Sequence, residues 1–415
     1  MVDVESFILG FVYYYGHVIG VSNFEFNWHT GRVYTAKKST FYAVAINSTI
    51  FILCTYHWTG HTNIINLIFG KANQLHEFVT VIMTGLRIAI GSAKYFKNSS
   101  VSSLSTFSGL FTLIHRWYQR CKIMDLTRMV IQVFHARPQV KRMSRWGILV
   151  KFISGSVTDL LQMAVLLDAM DRVGSQFYLG MGLQYWTSAI LNLAISQHYL
   201  IMLFIRTQYQ LLNTELRKVI EESNELSWNP PRQGTFMTRC CNLADQLEDL
   251  AKVQSQLQLI MKQLEEVFGV QGALVYGGYY LSSVSYIYLI YSILKYGYEN
   301  MNMTLTSVIL SLVWCFFYYL DGMLNMSVML YVQDDHEEML RLLEERTLFA
   351  PGLDVRLEEA FEKLQLQLIR NPFKIDVMKL YDVNRGTTMA MFANLLSHSI
   401  FLIQYDMENF EKESM

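Results

Sequence analysis

Residues 267–294 read VFGVQGALVYGGYYLSSVSYIYLIYSIL, from Val267 to Leu294, without a single Asp, Glu, Lys or Arg. A run of about 20 apolar residues crosses the hydrocarbon core as a helix. The apolar residues are continuous rather than alternating, so a membrane β-barrel strand is excluded. In lipid only a helix satisfies the backbone hydrogen bonds of such a run internally. The same pattern recurs outward along the chain. Ser39–Trp58, Val173–Ile205, Met301–Leu320 and Gly386–Tyr405 are also free of these four residue types. Hydrophobic residues make up 52% of the 415 and charged ones 17%, against about 45–50% and 25% for soluble domains. The excess falls in blocks, which predicts an all-α, polytopic membrane protein.

Seven spans are predicted: Ser39–His57, Leu75–Ala93, Trp146–Leu167, Gly182–Ile205, Val267–Leu294, Thr304 to about Tyr331, and Gly386–Tyr405. Lys and Arg in short flanks set the orientation. Between the second and third spans lie Lys94, Lys97, Arg116, Arg120, Lys122, Arg128, Arg137, Lys141, Arg142 and Arg145, opposed only by Asp125. Arg32, Lys37 and Lys38 precede the first span. Two spans separate these basic flanks, so both fall on the cytoplasmic side. The N-terminus is then cytoplasmic and the C-terminus extracellular. Residues 1–38 form a cytoplasmic or membrane-associated segment, within which the uncharged Ser6–Ser22 either spans or lies in the membrane as a leading helix. Residues 39–332 hold spans one to six with cytoplasmic loops 94–145 and 206–266. Residues 333–385 form a cytoplasmic helical segment, and 386–415 the last span with a short outer tail.

The loops carry their own pattern. Leu243, Leu247, Leu250, Gln254, Leu257, Met261, Leu264 and Phe268 alternate by four and three, one helical seam that continues into the fifth span. Asn302-Met303-Thr304 is a glycosylation sequon in the predicted outside loop between spans five and six. A net charge of −1 excludes a strongly basic nucleic-acid surface. The five cysteines lack metal-site spacing, and no soluble-enzyme motif occurs, so no catalytic residue, metal or cofactor is expected.

Three features are candidates for function. Arg87 in span two and Asp159 in span three are charges at membrane depth, costing about 2.5–3.5 kcal/mol each at a helix centre. They pair, face a water-filled cavity, or snorkel to the cytoplasmic interface; Asp321 lies nearer that interface. Tyr279, Tyr280 and Tyr286 of span five, with Trp186 of span four, are large amphipathic rings suited to line a small-molecule pocket. The last span is interrupted by Thr387, Thr388, Asn394, Ser397, His398, Ser399 and Gln404. Such a helix suits a pore wall if copies assemble about an axis, or helix packing through small and hydroxyl residues.

The chain closes that span with Ser397-His398-Ser399-Ile400-Phe401-Leu402-Ile403-Gln404-Tyr405, preceded by Tyr381, Asn384 and Arg385. These residues resemble the C-terminal signature of the insect gustatory receptors: Thr-Tyr, five apolar residues, then Gln-Phe, with an aromatic-x-apolar-Asp/Asn-Arg element at the cytoplasmic entrance. Gln404 is identical to the motif; Ser397, His398, Ser399 and Tyr405 replace its Thr, Tyr, first apolar residue and Phe. The resemblance implies a ligand-gated cation channel in the plasma membrane of chemosensory neurons, a homo- or hetero-tetramer with other gustatory receptors. It implies a pore lined by Ser397, His398, Phe401, Gln404 and Tyr405, an entrance at Tyr381, Asn384 and Arg385, and a pocket in the outer half of each subunit. A small-molecule tastant and membrane lipid are then the partners, with no nucleic acid; a bitter or aversive compound is the default ligand. A metabotropic receptor, a transporter and an accessory subunit of a heteromeric receptor are the alternatives.

Overall fold

The structure, a computed structural model, describes residues 4–27, 32–60, 111–170, 178–297, 304–347, 353–377 and 381–414. Helix α1 (Val4–Ile19) leads through a short hairpin, β1 (Glu25–Asn27) and β2 (Arg32–Tyr34), into α2 (Lys37–Gly60). Residues 111–118 are helical. They are followed by α3 (Arg120–Ala136), α4 (Gln139–Met143), α5 (Arg145–Met170), α6 (Tyr178–Trp228), α7 (Gln233–Tyr296), α8 (Leu305–Thr347) and α9 (Val355–Arg370). A second hairpin, β3 (Asp376–Val377) with β4 (Tyr381–Asp382), delivers the chain to α10 (Arg385–Ser414).

Four of the described helical stretches are long and apolar enough to cross a membrane: Arg145–Asp168, Tyr178–Trp228, Leu305–Arg346 and Arg385–Glu408. They carry the third, fourth, sixth and seventh predicted spans. The first and fifth predicted spans lie within α2 and α7. In α7 the many tyrosines and glycines dilute the apolar character. The second predicted span, with Arg87, and the sequon at Asn302 lie outside the described residues. α1 has 16 residues, about 24 Å at 1.5 Å per residue. That falls short of the ~30 Å hydrocarbon core, and α1 packs on α5 and α6 as a leading helix.

The helices are longer than the spans predicted from sequence. The fourth span and the charged stretch after it form one helix, α6. The sixth span likewise runs on through Gln333–Arg346 as α8. Nothing in either junction breaks a helix, since no Pro or Gly intervenes. Breaks occur where the chemistry requires them. Asn229-Pro230-Pro231 separates α6 from α7, and Gly297, at φ 80°, caps α7 by donating its N–H to the Ile293 carbonyl.

All eight seam residues of α7, Leu243 to Phe268, are buried. The seven apolar ones pack with Leu212 and Leu216 of α6, Leu343 of α8 and Leu357 and Leu364 of α9 into one core. In this charged, four-helix part of the molecule each such leucine contributes about 1.5–3 kcal/mol by leaving water. α9 shows the logic on a small scale. Asp354 caps it by accepting from the Arg356 N–H at 2.9 Å, and Leu357, Ala360, Phe361, Leu364 and Leu368 form its buried face. The membrane-level face of α5 is the reverse: Trp146, Val150, Ile153, Leu160 and Leu167 are exposed along one helical stripe, as a lipid-facing surface requires.

Candidate pore helix and ligand site

The entrance of α10 is built from the residues that resemble the family motif. Asn384 is its N-cap. Its Oδ1 accepts the Thr387 N–H at 2.8 Å, while Thr387 Oγ1 accepts the Asn384 N–H at 3.0 Å. That reciprocal pair is a capping box, and it satisfies two of the helix's orphan donors. Arg385 reaches Asp334 of α8 at 2.6 Å, and Gln333 donates to the Val383 carbonyl at 2.7 Å. Tyr381 lies in β4. The entrance thus fastens the start of α10 to α8.

Above the entrance α10 leans on α7. Ser399 and Leu402 are buried. The His398 ring meets Tyr280 edge-on, and its Nδ1 is hydrogen-bonded to the Tyr280 hydroxyl. Asp406 binds Tyr291 at 3.2 Å and Lys295 at 3.0 Å. At 100° per residue, Ser397, Phe401 and Gln404 fall on the opposite side, with Ala390, Ala393 and Asn394; all six are exposed. His398 and Tyr405 are exposed at the edge of that face.

The predicted aromatic candidates separate into three places. Tyr279 and Tyr286 of α7 join a ring cluster on α8: Tyr279 lies 4.7 Å from Tyr318, Trp314 5.2 Å from Tyr318 and 5.6 Å from Tyr286, and Tyr319 6.2 Å from Tyr286. Gly322 makes room for it, since a Cβ there would stand 3.2 Å from the Tyr279 ring. Tyr280, one residue on, points to α10 instead. Trp186 packs with Leu193 and Leu183 on the side of α6 that faces α1 and α2. The α8 partners of the cluster were not singled out from sequence, although Trp314 and Tyr318 stand one turn apart.

The membrane charges follow a similar division. Asp159 accepts from Asn192 Nδ2 at 2.6 Å and is hydrogen-bonded to Tyr15 of α1. Arg87, the other membrane charge expected from sequence, lies outside the described residues. Asp321, read from sequence as lying nearer the cytoplasmic interface, forms a buried ion pair with Lys151 that joins α8 to α5 at 2.6 Å. Lys151 also lies over the Tyr199 ring at 5.4 Å. Opposite signs on separate spans were the available signal.

Below the membrane level, burial perturbs three groups beside these helices. Burial pushes the Glu265 carboxyl up to about 7, with Asp376 adding repulsion. It raises Asp335 to about 6 against the pull of Arg206, and lowers His336 to about 4. Among the described residues no cluster of His, Cys, Asp and Glu could hold a metal ion.

Comparison with known proteins agrees with this architecture. The 7tm chemosensory receptor family model matches residues 98–409. A Drosophila melanogaster protein bearing the name gustatory receptor 36c is 65% identical, over 98% of this chain and 100% of its own. Those named gustatory receptor 36a and 59d are 46% and 34% identical, each over 99% of this chain and 100% of their own. Among solved structures, the insect olfactory receptor OR5 from Machilis hrabei superposes with a TM-score of 0.62 at 12% identity, over 97% of this chain and 100% of that one. Its complex with eugenol gives 0.53 at 13% identity, with the same coverage.

Proposed function

The chain belongs to the insect gustatory receptors, within the 7tm chemosensory receptor family, and from that premise we propose that it is a ligand-gated cation channel. It is a multi-pass chemosensory receptor; the channel mechanism is our reading. The observation that carries it is the face of α10 turned away from α7. Asn394, Ser397 and Gln404 are exposed there, beside Ala390 and Ala393. Polar side chains at membrane depth are costly against lipid and are found facing protein or water. Four copies placing this face about a common axis would line a wetted path with Ser397, Phe401 and Gln404, and His398 and Tyr405 would flank it.

In this reading the ring cluster of Tyr279, Tyr286, Trp314, Tyr318 and Tyr319 is the pocket wall. Its rings suit a flat, moderately apolar small molecule, with a bitter or aversive compound as the default ligand. A solved relative by fold was determined with eugenol, a compound of that kind. Tyr279 in the cluster and Tyr280 against His398 are sequence neighbours on one rigid helix, a direct route from pocket to pore helix. The N-terminus is cytoplasmic and the receptor acts in the plasma membrane of chemosensory neurons.

The test is recording from excised patches of cells expressing this chain, alone and with related receptors, with bitter compounds and no nucleotides. A ligand-evoked cation current supports the channel. A response seen only in intact cells, and lost in every excised patch despite surface protein, would refute it in favour of a metabotropic receptor.

A further inference from the structure

Arg116 is buried at 5% exposure, and among the described residues no carboxylate pairs with it. Its Nη2 donates to Gln197 at 2.6 Å, its guanidinium lies 5.7 Å from the centre of the Phe268 ring, and its Nε has no acceptor. One turn along the same face, Arg120 repeats the arrangement. It donates to the Asn23 carbonyl and to Thr40 Oγ1 at 2.7 Å, lies over Trp117 at 5.6 Å, and also leaves its Nε buried without an acceptor. Of the four other arginines of this stretch, Arg128, Arg137 and Arg145 each hold a carboxylate, at 2.8, 2.9 and 3.3 Å, and Arg142 is exposed to water. One helical turn apart, each guanidinium group keeps a buried, unused donor, and among the described residues neither holds a carboxylate.

A cavity of about 480 Å³ opens between α2 and residues 111–118, and Trp117, the ring under Arg120, is part of its wall. Val44, Phe51 and Ile52 line it with Leu113, Ile114 and Trp117, and Asn47 and Ser48 add two polar side chains on the α2 side. Because Thr40 holds Arg120, that arginine marks the end of the cavity nearest the start of α2, where Lys37 and Lys38 are exposed. By the distribution of Lys and Arg that end is cytoplasmic. Arg116 also lies at the level of Phe268, where the charges of α7 stop and its uncharged run begins. Phosphate groups of the inner leaflet lie at that depth, and guanidinium binds phosphate through paired, charge-assisted hydrogen bonds.

We propose that Arg116 and Arg120 bind the phosphate of an anionic phospholipid whose acyl chain occupies the adjoining apolar cavity. A free phosphate would satisfy the arginines and leave the cavity unfilled; a lipid satisfies both.

The experiment is thermal unfolding of the full-length protein in detergent with added dioleoyl phosphatidylserine, phosphatidylcholine or inorganic phosphate. Phosphatidylserine should raise the Tm, at a concentration about tenfold below that at which phosphatidylcholine acts, a preference of about 1.4 kcal/mol. R116Q/R120Q should lose the rise, and Arg128→Gln, an exposed arginine of the same segment, should keep it. Ile114→Trp, which fills the cavity and leaves both arginines, should also lose it, and decides the matter if the double variant does not fold. Equal rises from both lipids, a full rise from inorganic phosphate, or an undiminished rise in Ile114→Trp would each overturn the proposal.

Discussion

The hydroxyl of Tyr280 on α7 is hydrogen-bonded to Nδ1 of His398 on α10, and the two rings meet edge-on with centroids 6.0 Å apart. The contact joins the helix that carries the ring cluster to the helix proposed to line the pore.

Tyr280→Phe removes that hydrogen bond and keeps the ring. We expect unchanged surface protein and a shifted ligand concentration–response curve, the loss being that of one hydrogen bond, about 0.5–1.5 kcal/mol. An unaltered curve would show that the contact plays no part in gating.

Gln404→Ala should change ion selectivity or single-channel conductance without loss of surface protein, because Gln404 is exposed on the free face of α10. If permeation is the same in both, Gln404 does not face the conduction path.

Lys151→Met and Asp321→Leu should each destabilise the protein strongly, about 3–5 kcal/mol, because each strands a buried charge at membrane depth. The double variant should recover most of the loss. Melting curves of the detergent-solubilised proteins measure this; a double variant as unstable as the sum of the singles would mean the two charges are uncoupled.

Glu265→Gln isolates one pH dependence. Burial and Asp376 push the native carboxyl from 4.5 up to about 7. Between those values the native state holds a proton that the unfolded chain has released, so stability falls as pH rises, and above 7 the full cost is present. The glutamine should therefore raise the Tm at pH 7.5 and do little near pH 4.5. His336, lowered to about 4, acts in the opposite sense, so the comparison is made against wild type at each pH. A gain equal at both pH values would reject the assignment.

Much of this architecture is legible in the sequence because both signals are local and repetitive. Charge-free runs mark the membrane helices, and the 4–3 spacing from Leu243 to Phe268 marks a face that is buried at every position. The entrance element is legible too, since Asn384 and Thr387 stand at capping-box spacing. Pairing between distant helices is not. Lys151 and Asp321 are 170 residues apart, and either could as well have snorkelled to the interface. Tyr279 and Tyr280 are alike in composition and context, and only the rotation of α7 sends one to α8 and the other to α10. Arg116 reads as one of ten basic residues in a loop, and its burial depends on Gln197 and Phe268, which come from two other helices.

The unbroken course of α7 over 64 residues sets a condition on how this receptor can diverge. Its cytoplasmic seam and its membrane-level rings share one angular phase, at 100° per residue. Inserting or deleting a single residue between Phe268 and Tyr279 would turn Tyr279 and Tyr280 by about 100° relative to the seam, aiming neither at its present partner. Side chains on the exposed side of α7 can change within that frame, whereas its length between seam and rings is held, with a change of seven residues the smallest that nearly restores the register.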